Sequence, residues 1–210
     1  CVAGGSGTEA PMIVGEGAIR GGHMERCFGT GDSLYEHYHD TEWGRPLPDD
    51  PKEALLLERL ILEGFQSGLN WITVLRKREA FRTAFIGFDP ETVAGFGEED
   101  VTRLMADSGI IRNERKIRAA VANARALVAL HVAGGRLADI FAEHVPSPAL
   151  TPPERRDEIP AQTPESEALS RRLKNLGFRF VGPVTLYSTM QAIGLVNDHL
   201  ASCWTRETGA

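Results

Sequence analysis

The spacing of apolar residues beyond position 50 restricts the fold of this chain more than any other feature. In the segment PKEALLLERLILEGF, leucine and isoleucine recur at the three- and four-residue intervals that place side chains on one face of a helix, as at Leu56, Leu60 and Ile61. Aspartates precede Pro51, and proline is tolerated in a first helical turn, so the segment predicts a capped helix. No segment shows a convincing apolar–polar alternation typical of strands. The sequence therefore predicts an all-α fold.

Further helices are indicated by their own start and stop signals. Acidic residues begin two short segments, and paired glycines end a long one. A largely apolar stretch over 181–203 predicts one last, central helix. Six prolines between 146 and 164 indicate a surface crossing rather than a domain boundary, so residues 24–204 are expected to form a single helical domain. The other predicted helices lie in NWITVLRKREAFRTAF, DPETVAGF, GEEDVTRLMADSG, RNERKIRAAVANARALVALHVAGG and PESEALSRRLKNLGF.

Composition limits the location and the partners of the chain. A formal net charge of −6 argues against nonspecific nucleic-acid binding through the whole surface but permits a local basic face. No apolar run reaches the roughly 18 residues of a membrane helix, so no membrane partner is expected. Three scattered cysteines suit a reducing, cytoplasmic location, and a monomer is the default state. The glycine-rich residues 1–23 show no packing pattern and are interpreted as a disordered extension or a cloning remnant, and residues 205–210 as a tail.

Cysteines and histidines near the two ends suggest a metal site. His199 and Cys203 lie four residues apart and would share one face of the predicted last helix. Cys27 and His39 would complete a Cys₂His₂ set, which binds zinc tetrahedrally in closed structural sites. His37 is an equally suitable alternative to His39. The other interpretation is two buried cysteines with unrelated histidines, which spacing alone slightly favours.

The segment EEDVTRLMADSGIIRNERKI predicts two helices joined by a tight turn that contains Gly109. Such a turn exposes backbone N–H groups at a helix N-terminus, and these can hold a DNA phosphate without reading a base. Between Arg103 and Arg125 there are six basic residues and two acidic ones, and a second basic cluster extends from Arg171 to Arg179. Two solvated helix faces would give the same charge pattern, but the glycine turn favours a contact with the DNA backbone.

Glu63 occupies a position where a carboxylate is costly. It follows Leu60 by three residues and so extends the apolar stripe of the predicted helix. A buried carboxylate there is either functional or paired with an arginine at the helix end, and the sequence leaves both open. Aromatic walls around it would suit a flat, cationic ligand. The aromatic candidates are Tyr38, Trp43, Phe65 and Trp71.

Several motifs, in the same order and spacing, resemble one bacterial family, the DNA-3-methyladenine glycosylases of type I. They are MERC, YHDTEWG, LEGFQSGLNWITVLRKRE, SGIIRNERKI, GFRFVG and GLVNDH, and they extend from Met24 to about Trp204. The resemblance implies a helix-hairpin-helix glycosylase fold with a structural Zn²⁺ that links the N- and C-terminal segments. The implied zinc ligands are Cys27, His39, His199 and Cys203, which favours His39 over His37.

The resemblance also implies an activity. The family flips 3-methyladenine out of alkylated double-stranded DNA and hydrolyses its N-glycosidic bond, which leaves an abasic site for base excision repair. Glu63 is implied as the catalytic residue and binds the base. The other implied base-binding residues are Tyr38, Gln66 and Trp71. We expect the DNA to contact the backbone at Gly109 and Ile111 and the side chains of Arg112 and Lys116, with Leu69 as a wedge into the base stack.

The chain departs from related patterns in two places. Many glycosylases of this fold carry an Asp at a set distance beyond a Lys near the hairpin; Lys116 fits, but Gly134 stands at the acid position, and Asp139 follows later. Members of the family often carry a Trp shortly after the first Cys, where Phe28 is expected to substitute as a pocket wall. The alternatives are a broader-range alkylpurine glycosylase, one that acts through Lys116, and a noncatalytic zinc-stabilised DNA-binding module. A carboxylate in an aromatic pocket argues against the module.

Overall fold

The structure, a computed structural model, describes residues 25–48, 52–147 and 151–208. Within these ranges the chain forms eleven α-helices and two short 3₁₀ turns and no strand, which confirms the all-α prediction. The predicted extension over 1–23 and the aspartates before Pro51 lie outside the described residues. The helices are α1 Ser33–Thr41, α2 Glu53–Gln66, α3 Trp71–Leu75, α4 Arg78–Ala84, α5 Pro90–Ala94, α6 Glu98–Ala106, α7 Glu114–Val132, α8 Leu137–Ala142, α9 Pro164–Asn175, α10 Pro183–Ala192 and α11 Trp204–Thr208.

Helix α2 lies at the centre of the fold, against α7 and α10. Every residue from Leu56 to Phe65 is buried, as expected for a helix that is covered on all sides. Two of the three charged residues in this stretch are paired, Glu58 with Arg82 and Arg59 with Glu42. The third is Glu63, and no ion pair within the described ranges accounts for its burial.

Two of the predicted helices begin at residues whose side chains cap them. Asp89 accepts a hydrogen bond from Thr92 N–H (2.9 Å) at the start of α5, and Asn113 accepts one from Lys116 N–H (3.2 Å) at the start of α7. These bonds satisfy N–H groups that have no partner within the helix. Helices α6 and α7 pack against each other across the turn at 107–113. None of the described helices combines the length and the apolar character that crossing a bilayer requires.

The prediction of a single helix over 181–203 is wrong. Helix α10 ends at Ala192, and Gly194 adopts a φ of +72° while Leu195 N–H donates to Met190 O (2.9 Å). A side chain at position 194 would place its Cβ 2.2 Å from a backbone atom of Arg45, so the crossing chain requires glycine here. His199 and Cys203 therefore do not share a helical face. They lie in the irregular segment between α10 and α11.

Other boundaries also differ from the prediction. Helices α1 and α8 have no predicted counterpart. The helix predicted for NWITVLRKREAFRTAF is divided into α3 and α4 by a turn at Arg76 and Lys77, where the ψ of Lys77 reaches 0°. The ammonium of Lys77 reaches the carbonyl oxygens of Ser108 (2.8 Å) and Gly109 (3.1 Å), which fixes the break against the turn between α6 and α7.

Candidate active site and metal cluster

A cavity of about 130 Å³ opens beside the C-terminal half of α2. Because a single buried water needs only roughly 10–15 Å³, the cavity has room for a small ligand. Its walls come from the segment before α1, from α1 and the turn after it, and from α2, α3 and α10. The lining residues are Phe28, Tyr35, Tyr38, Trp43, Glu63, Gln66, Trp71, Ser188 and Gln191.

Aromatic rings form most of this cavity. The ring centroids of Tyr38 and Trp71 lie 5.4 Å apart, and the ring of Phe28 lies 4.8 Å from Tyr35 and 5.0 Å from Trp43. Phe28 thus lies where a pocket wall was expected. The predicted wall Phe65 does not: it packs against Phe81 (4.7 Å between centroids) in the core. Electron-rich ring faces around a cavity favour a flat ligand that carries positive charge.

Polar atoms of the cavity walls remain available to a ligand. The indole Nε1 of Trp71 is buried and has no hydrogen-bond partner among the described residues. Burial raises the pKa of Tyr38 well above its usual value, so its hydroxyl stays neutral. A buried donor without a partner is costly, because its hydration is lost without replacement. A ligand in the cavity would relieve that cost.

Glu63 lines the cavity and is 4% exposed. Its carboxylate makes no hydrogen bond or ion pair with any other residue in the described ranges. Burial raises the pKa of Glu63 to about 8, because a carboxylate loses its hydration there. The side chain is therefore mostly protonated at neutral pH while the cavity holds no cation. The sequence left open whether Glu63 is functional or paired with an arginine, and the geometry supports a functional, unpaired carboxyl group.

The nearest arginine along the helix does not neutralise Glu63. Arg59 lies one turn earlier, and its Nη2 donates to Glu42 Oε2 at 2.6 Å; Arg78 Nη1 donates to the same oxygen at 2.6 Å. Burial would raise the pKa of Glu42, but hydrogen bonds from Arg78 and Arg59 lower it to about 2. The charge of Arg59 lowers the pKa of Glu63 by less than burial raises it. Glu42 thus holds the charge of Arg59 and leaves Glu63 without a counterion.

The loop after α2 joins the cavity to the surface. Gln66 lines the cavity, and its Nε2 donates to Leu69 O (3.2 Å), while Leu69 N–H donates to Gln66 O (2.7 Å). Gly68 provides the left-handed conformation between them, with φ +82°. Leu69 is 39% exposed at the tip. The predicted wedge therefore lies on a short loop that is bonded directly to the cavity wall.

Four buried side chains close to the cavity bring their ligand atoms within 4.8 Å of one another: Cys27, His39, His199 and Cys203. Cys203 Sγ lies 3.5 Å from His39 Nε2 and 3.5 Å from His199 Nδ1, and Cys27 Sγ lies 3.5 Å from the same Nδ1. With the usual Zn–S and Zn–N bond lengths, sulfur and nitrogen ligands of a tetrahedral zinc lie about 3.5 Å apart. The donor set and its spacing therefore fit zinc, whereas the alternative ligand His37 is exposed.

The groups around the cluster orient its imidazoles. His39 Nδ1 donates to Asp40 Oδ1 (2.8 Å), and His199 Nε2 donates to Trp43 O (2.9 Å). Each ring thereby turns its other nitrogen toward the cluster, as metal-binding histidines do. Burial raises the pKa of the Cys27 thiol to about 12, so a thiolate here requires a neighbouring cation. Asp40 was not among the predicted residues of the cluster, although it directly follows His39.

The C-terminal end contributes to the same cluster. Thr205 is 3% exposed, and its Oγ1 lies 3.1 Å from Cys203 Sγ. Residue 205 belongs to α11, although the sequence assigned it to a tail.

The turn between α6 and α7 is built differently from the prediction. Gly109 N–H, which was expected to hold a phosphate, already donates to Asp107 Oδ1 at 2.7 Å. A Cβ at position 109 would lie 3.0 Å from Ala80 Cβ, so glycine allows the turn to approach α4. No hydrogen bond within the described ranges engages the N–H of Ile111 or the guanidinium of Arg112. These two groups remain available to a phosphate.

Lys116 is turned inward. Its ammonium donates to Phe65 O (2.9 Å) and to Ser67 O (2.7 Å), at the C-terminal end of the helix that carries Glu63. This geometry fits a structural bond between α7 and α2 better than the predicted phosphate contact or a catalytic lysine. No acid stands near Lys116 at the position where related glycosylases carry an Asp. Gly134 occupies that position at the end of α7, and Asp139 lines a different cavity, together with Leu47 and Phe141.

The chain is similar to known proteins over most of its length. Residues 28–207 match the family model described as methyladenine glycosylase. DNA-3-methyladenine glycosylase 1 of Escherichia coli K12 is 49% identical over 86% of this chain and 96% of its own length. A solved 3-methyladenine DNA glycosylase I is 46% identical with a TM-score of 0.80, over 86% of this chain and 98% of that one. A second solved glycosylase I, in complex with 3-methyladenine, is 35% identical with a TM-score of 0.80, and the match covers 87% of this chain and 97% of that one. The chain belongs to the methyladenine glycosylase family.

Proposed function

We propose that this protein is a monofunctional DNA glycosylase that hydrolyses the N-glycosidic bond of 3-methyladenine in alkylated double-stranded DNA. The observation that carries the proposal is Glu63, a buried carboxyl group without a partner among the described residues, in a cavity walled by Tyr38 and Trp71. The names of the related glycosylases support the same substrate.

The substrate explains why an unpaired carboxyl suits this cavity. Methylation at N3 places positive charge on the adenine ring, so the base is already a good leaving group and needs little protonation by the enzyme. The flipped base would stack on Tyr38 and Trp71, and Glu63 would accept hydrogen bonds from its edge. The charge of the base lowers the cost of ionising Glu63. Neutral adenine lacks this gain, so selectivity follows from charge as well as shape.

The element formed by α6, the turn and α7 is the proposed helix-hairpin-helix contact with the DNA backbone. Ile111 N–H and Arg112 would bind phosphates, Gly109 shapes the turn, and Lys116 holds the loop that presents Leu69. Leu69 would fill the space left by the flipped nucleotide. An enzyme of bacterial DNA repair works where the chromosome lies, so a cytoplasmic location is expected.

Zn²⁺ is the proposed ion of the cluster, bound by Cys27, His39, His199 and Cys203. Supporting observations are the sulfur–nitrogen distances of 3.5 Å and the hydrogen bonds that orient both imidazoles. The ion would have four protein ligands and no open position, which is typical of a structural site. It would join residues near both ends of the chain, and metal binding of this kind contributes directly to folding.

Release of free 3-methyladenine from methylated duplex DNA tests the activity. The wild type should release the base, and Glu63→Ala should reduce the rate by at least about a hundredfold, a typical loss for one electrostatic group of an active site. Glu91→Ala, an exposed acid on α5, is the control and should behave as wild type. Absence of release by the wild type would refute the proposal, and full activity of Glu63→Ala would refute the role of Glu63.

Metal analysis of the purified protein tests the cluster. The wild type should contain one zinc per chain, and Cys203→Ser should lose it, while the exposed neighbour Ser202→Ala should retain it. Stoichiometric zinc in Cys203→Ser would contradict the proposed ligands.

A further inference from the structure

Two arginines on one surface lack the partners that most arginines in the described ranges have. Arg82, Arg103 and Arg118 all bind carboxylates. The guanidiniums of Arg115 and Arg179 bind no carboxylate or carbonyl within the described ranges. Both line a shallow surface cavity of about 370 Å³. Two unpaired cations that line one cavity, in a chain with a net charge of −6, mark a surface suited to an anion.

An aromatic ring lines the same surface as these cations. Phe180 lines the same surface and is 38% exposed. Its φ is +54°, a conformation that bulky residues avoid. The buried amide of Asn123 fixes it, since Nδ2 donates to Arg179 O (3.1 Å) and Oδ1 accepts from Arg179 N–H (2.6 Å). Strain that is held in place by such contacts is typical of functional positions, and here it keeps a hydrophobic ring at the surface.

This surface adjoins the parts of the molecule that the proposed function places against DNA. Phe180 packs beside Gly64 on α2: a Cβ built at position 64 would lie 3.5 Å from the Cβ of Phe180. It also shares a small cavity with Lys116, whose ammonium holds Ser67 O in the loop that carries Leu69. Arg115 lies in the first turn of α7, next to the turn at 107–113. A duplex bound at the turn and at the pocket therefore passes close to Phe180.

We propose that Phe180, Arg115 and Arg179 form a further contact to duplex DNA, outside the base pocket, in which the two guanidiniums bind backbone phosphates and the Phe180 ring packs on the nucleotide between them. This rests on the proposed function, because it takes alkylated DNA as the ligand. Guanidinium–phosphate pairs and aromatic stacking on nucleotides are the contacts such a surface can make. Arg118 on the same surface is already neutralised by Glu98 and Glu114, so it adds no phosphate contact.

Salt-dependent binding to a duplex with a stable abasic-site analogue tests the three residues separately. Each phosphate contact contributes about 0.9 to the slope of log affinity against log salt, so Arg115→Gln and Arg179→Gln should each lower the slope by about one. Phe180→Ala should weaken binding by about tenfold with the slope unchanged, and Phe180→Tyr should bind as wild type. Val132→Ala, 85% exposed at the far end of α7, is the control.

Binding of free 3-methyladenine, followed by tryptophan fluorescence, separates this contact from the pocket. Free base should bind to Arg115→Gln, Arg179→Gln and Phe180→Ala as it does to wild type. Unchanged slopes in both arginine variants, or unchanged DNA affinity in Phe180→Ala, would overturn the proposal. Loss of free-base binding in Phe180→Ala would also overturn it, because the ring would then act through the pocket. Failure of the wild type itself to bind the free base would count against the proposed function, while the salt slopes would still report on this surface.

Discussion

Replacement of Glu63 by glutamine should make the protein's stability less sensitive to alkaline pH. Burial raises the pKa of Glu63 from 4.5 to about 8 in the folded protein, whereas unfolding returns the carboxyl to water. Between these two values the folded state binds more protons than the unfolded state. The free energy of unfolding therefore falls as pH rises through this window. Glutamine has nearly the same shape and does not ionise, so Glu63→Gln removes this contribution.

The magnitude follows from the two pKa values. Each pKa unit between 4.5 and about 8 corresponds to about 1.4 kcal/mol. Above pH 8 the ionisation of Glu63 in the empty cavity therefore lowers the free energy of unfolding by about 5 kcal/mol. At pH 7 the cost is about 3 kcal/mol, and at pH 5 it is below about 1 kcal/mol. For a protein of this size, about 3 kcal/mol corresponds to a shift in Tm of roughly 6–12 °C.

Urea denaturation at pH 5, 7 and 8.5, without nucleic acid or free base, measures the effect. The difference in the free energy of unfolding between Glu63→Gln and wild type should grow by about 4 kcal/mol from pH 5 to pH 8.5 in favour of the variant. Other titrating groups, including the cluster of Cys27 and His199, are common to both proteins and cancel in this difference. Glu58→Gln is the matched control on the same helix. It should be less stable than wild type, because Glu58 binds Arg82 at 2.7 Å.

Parallel stability–pH curves for wild type and Glu63→Gln would refute the reasoning. They would mean that the carboxyl finds a partner or water in solution, and that the cavity is not an uncompensated site for a cation. The argument that the charge of the base matches Glu63 would then lose its physical basis.

Three further predictions concern Glu42, Lys116 and Gly194. Glu42→Gln should lower the pKa of Glu63, because Arg59 loses its carboxylate partner, and ¹³C NMR titration of Glu63 should show it. Lys116→Met should reduce base release and lower the free energy of unfolding by about 1–3 kcal/mol, because Phe65 O and Ser67 O lose a charged donor; Lys116→Arg should recover part of both. Thermal denaturation should show Gly194→Ala as severely destabilised, whereas Gly68→Ala, also at positive φ but with open space around its Cβ, should cost only about 1 kcal/mol.

Local signals predicted those parts of the fold that local interactions determine. The segments that begin at Asp89 and near Asn113 predicted α5 and α7, and the apolar period predicted α2, although the sequence placed the last helix rather than α2 at the centre. The end of α10 was not predictable in this way. Gly194 ends it because the backbone at Arg45 crosses within 2.2 Å of the Cβ position, and that crossing brings together residues distant in sequence. The apolar residues continue beyond Gly194 with a helical period, so their spacing does not show where α10 ends.

The site was predictable to a similar extent. The position of Glu63 on an apolar stripe marked it as unusual, but whether an arginine paired with it depended on Glu42, which lies in a turn of the N-terminal segment. The inward turn of Lys116 depended on the packing of α7 against α2. The engaged N–H of Gly109 could have been recognised, since an aspartate two residues before a glycine commonly forms this kind of turn with its own backbone.

The cluster of cysteines and histidines and the cavity are built from the same short segments, which would give the proposed structural ion a part in recognition. Cys27 belongs to the cluster and Phe28 to the cavity wall; Tyr38 belongs to the wall and His39 to the cluster. Trp43 lines the cavity with its ring, while its carbonyl oxygen accepts the Nε2–H of His199 at 2.9 Å. Because neighbouring residues along the chain serve the two sites, an ion that fixes the ligands also fixes the rings. A zinc that takes no part in bond cleavage would thus set the distance between the aromatic walls and Glu63, and with it the fit of a flat cationic base.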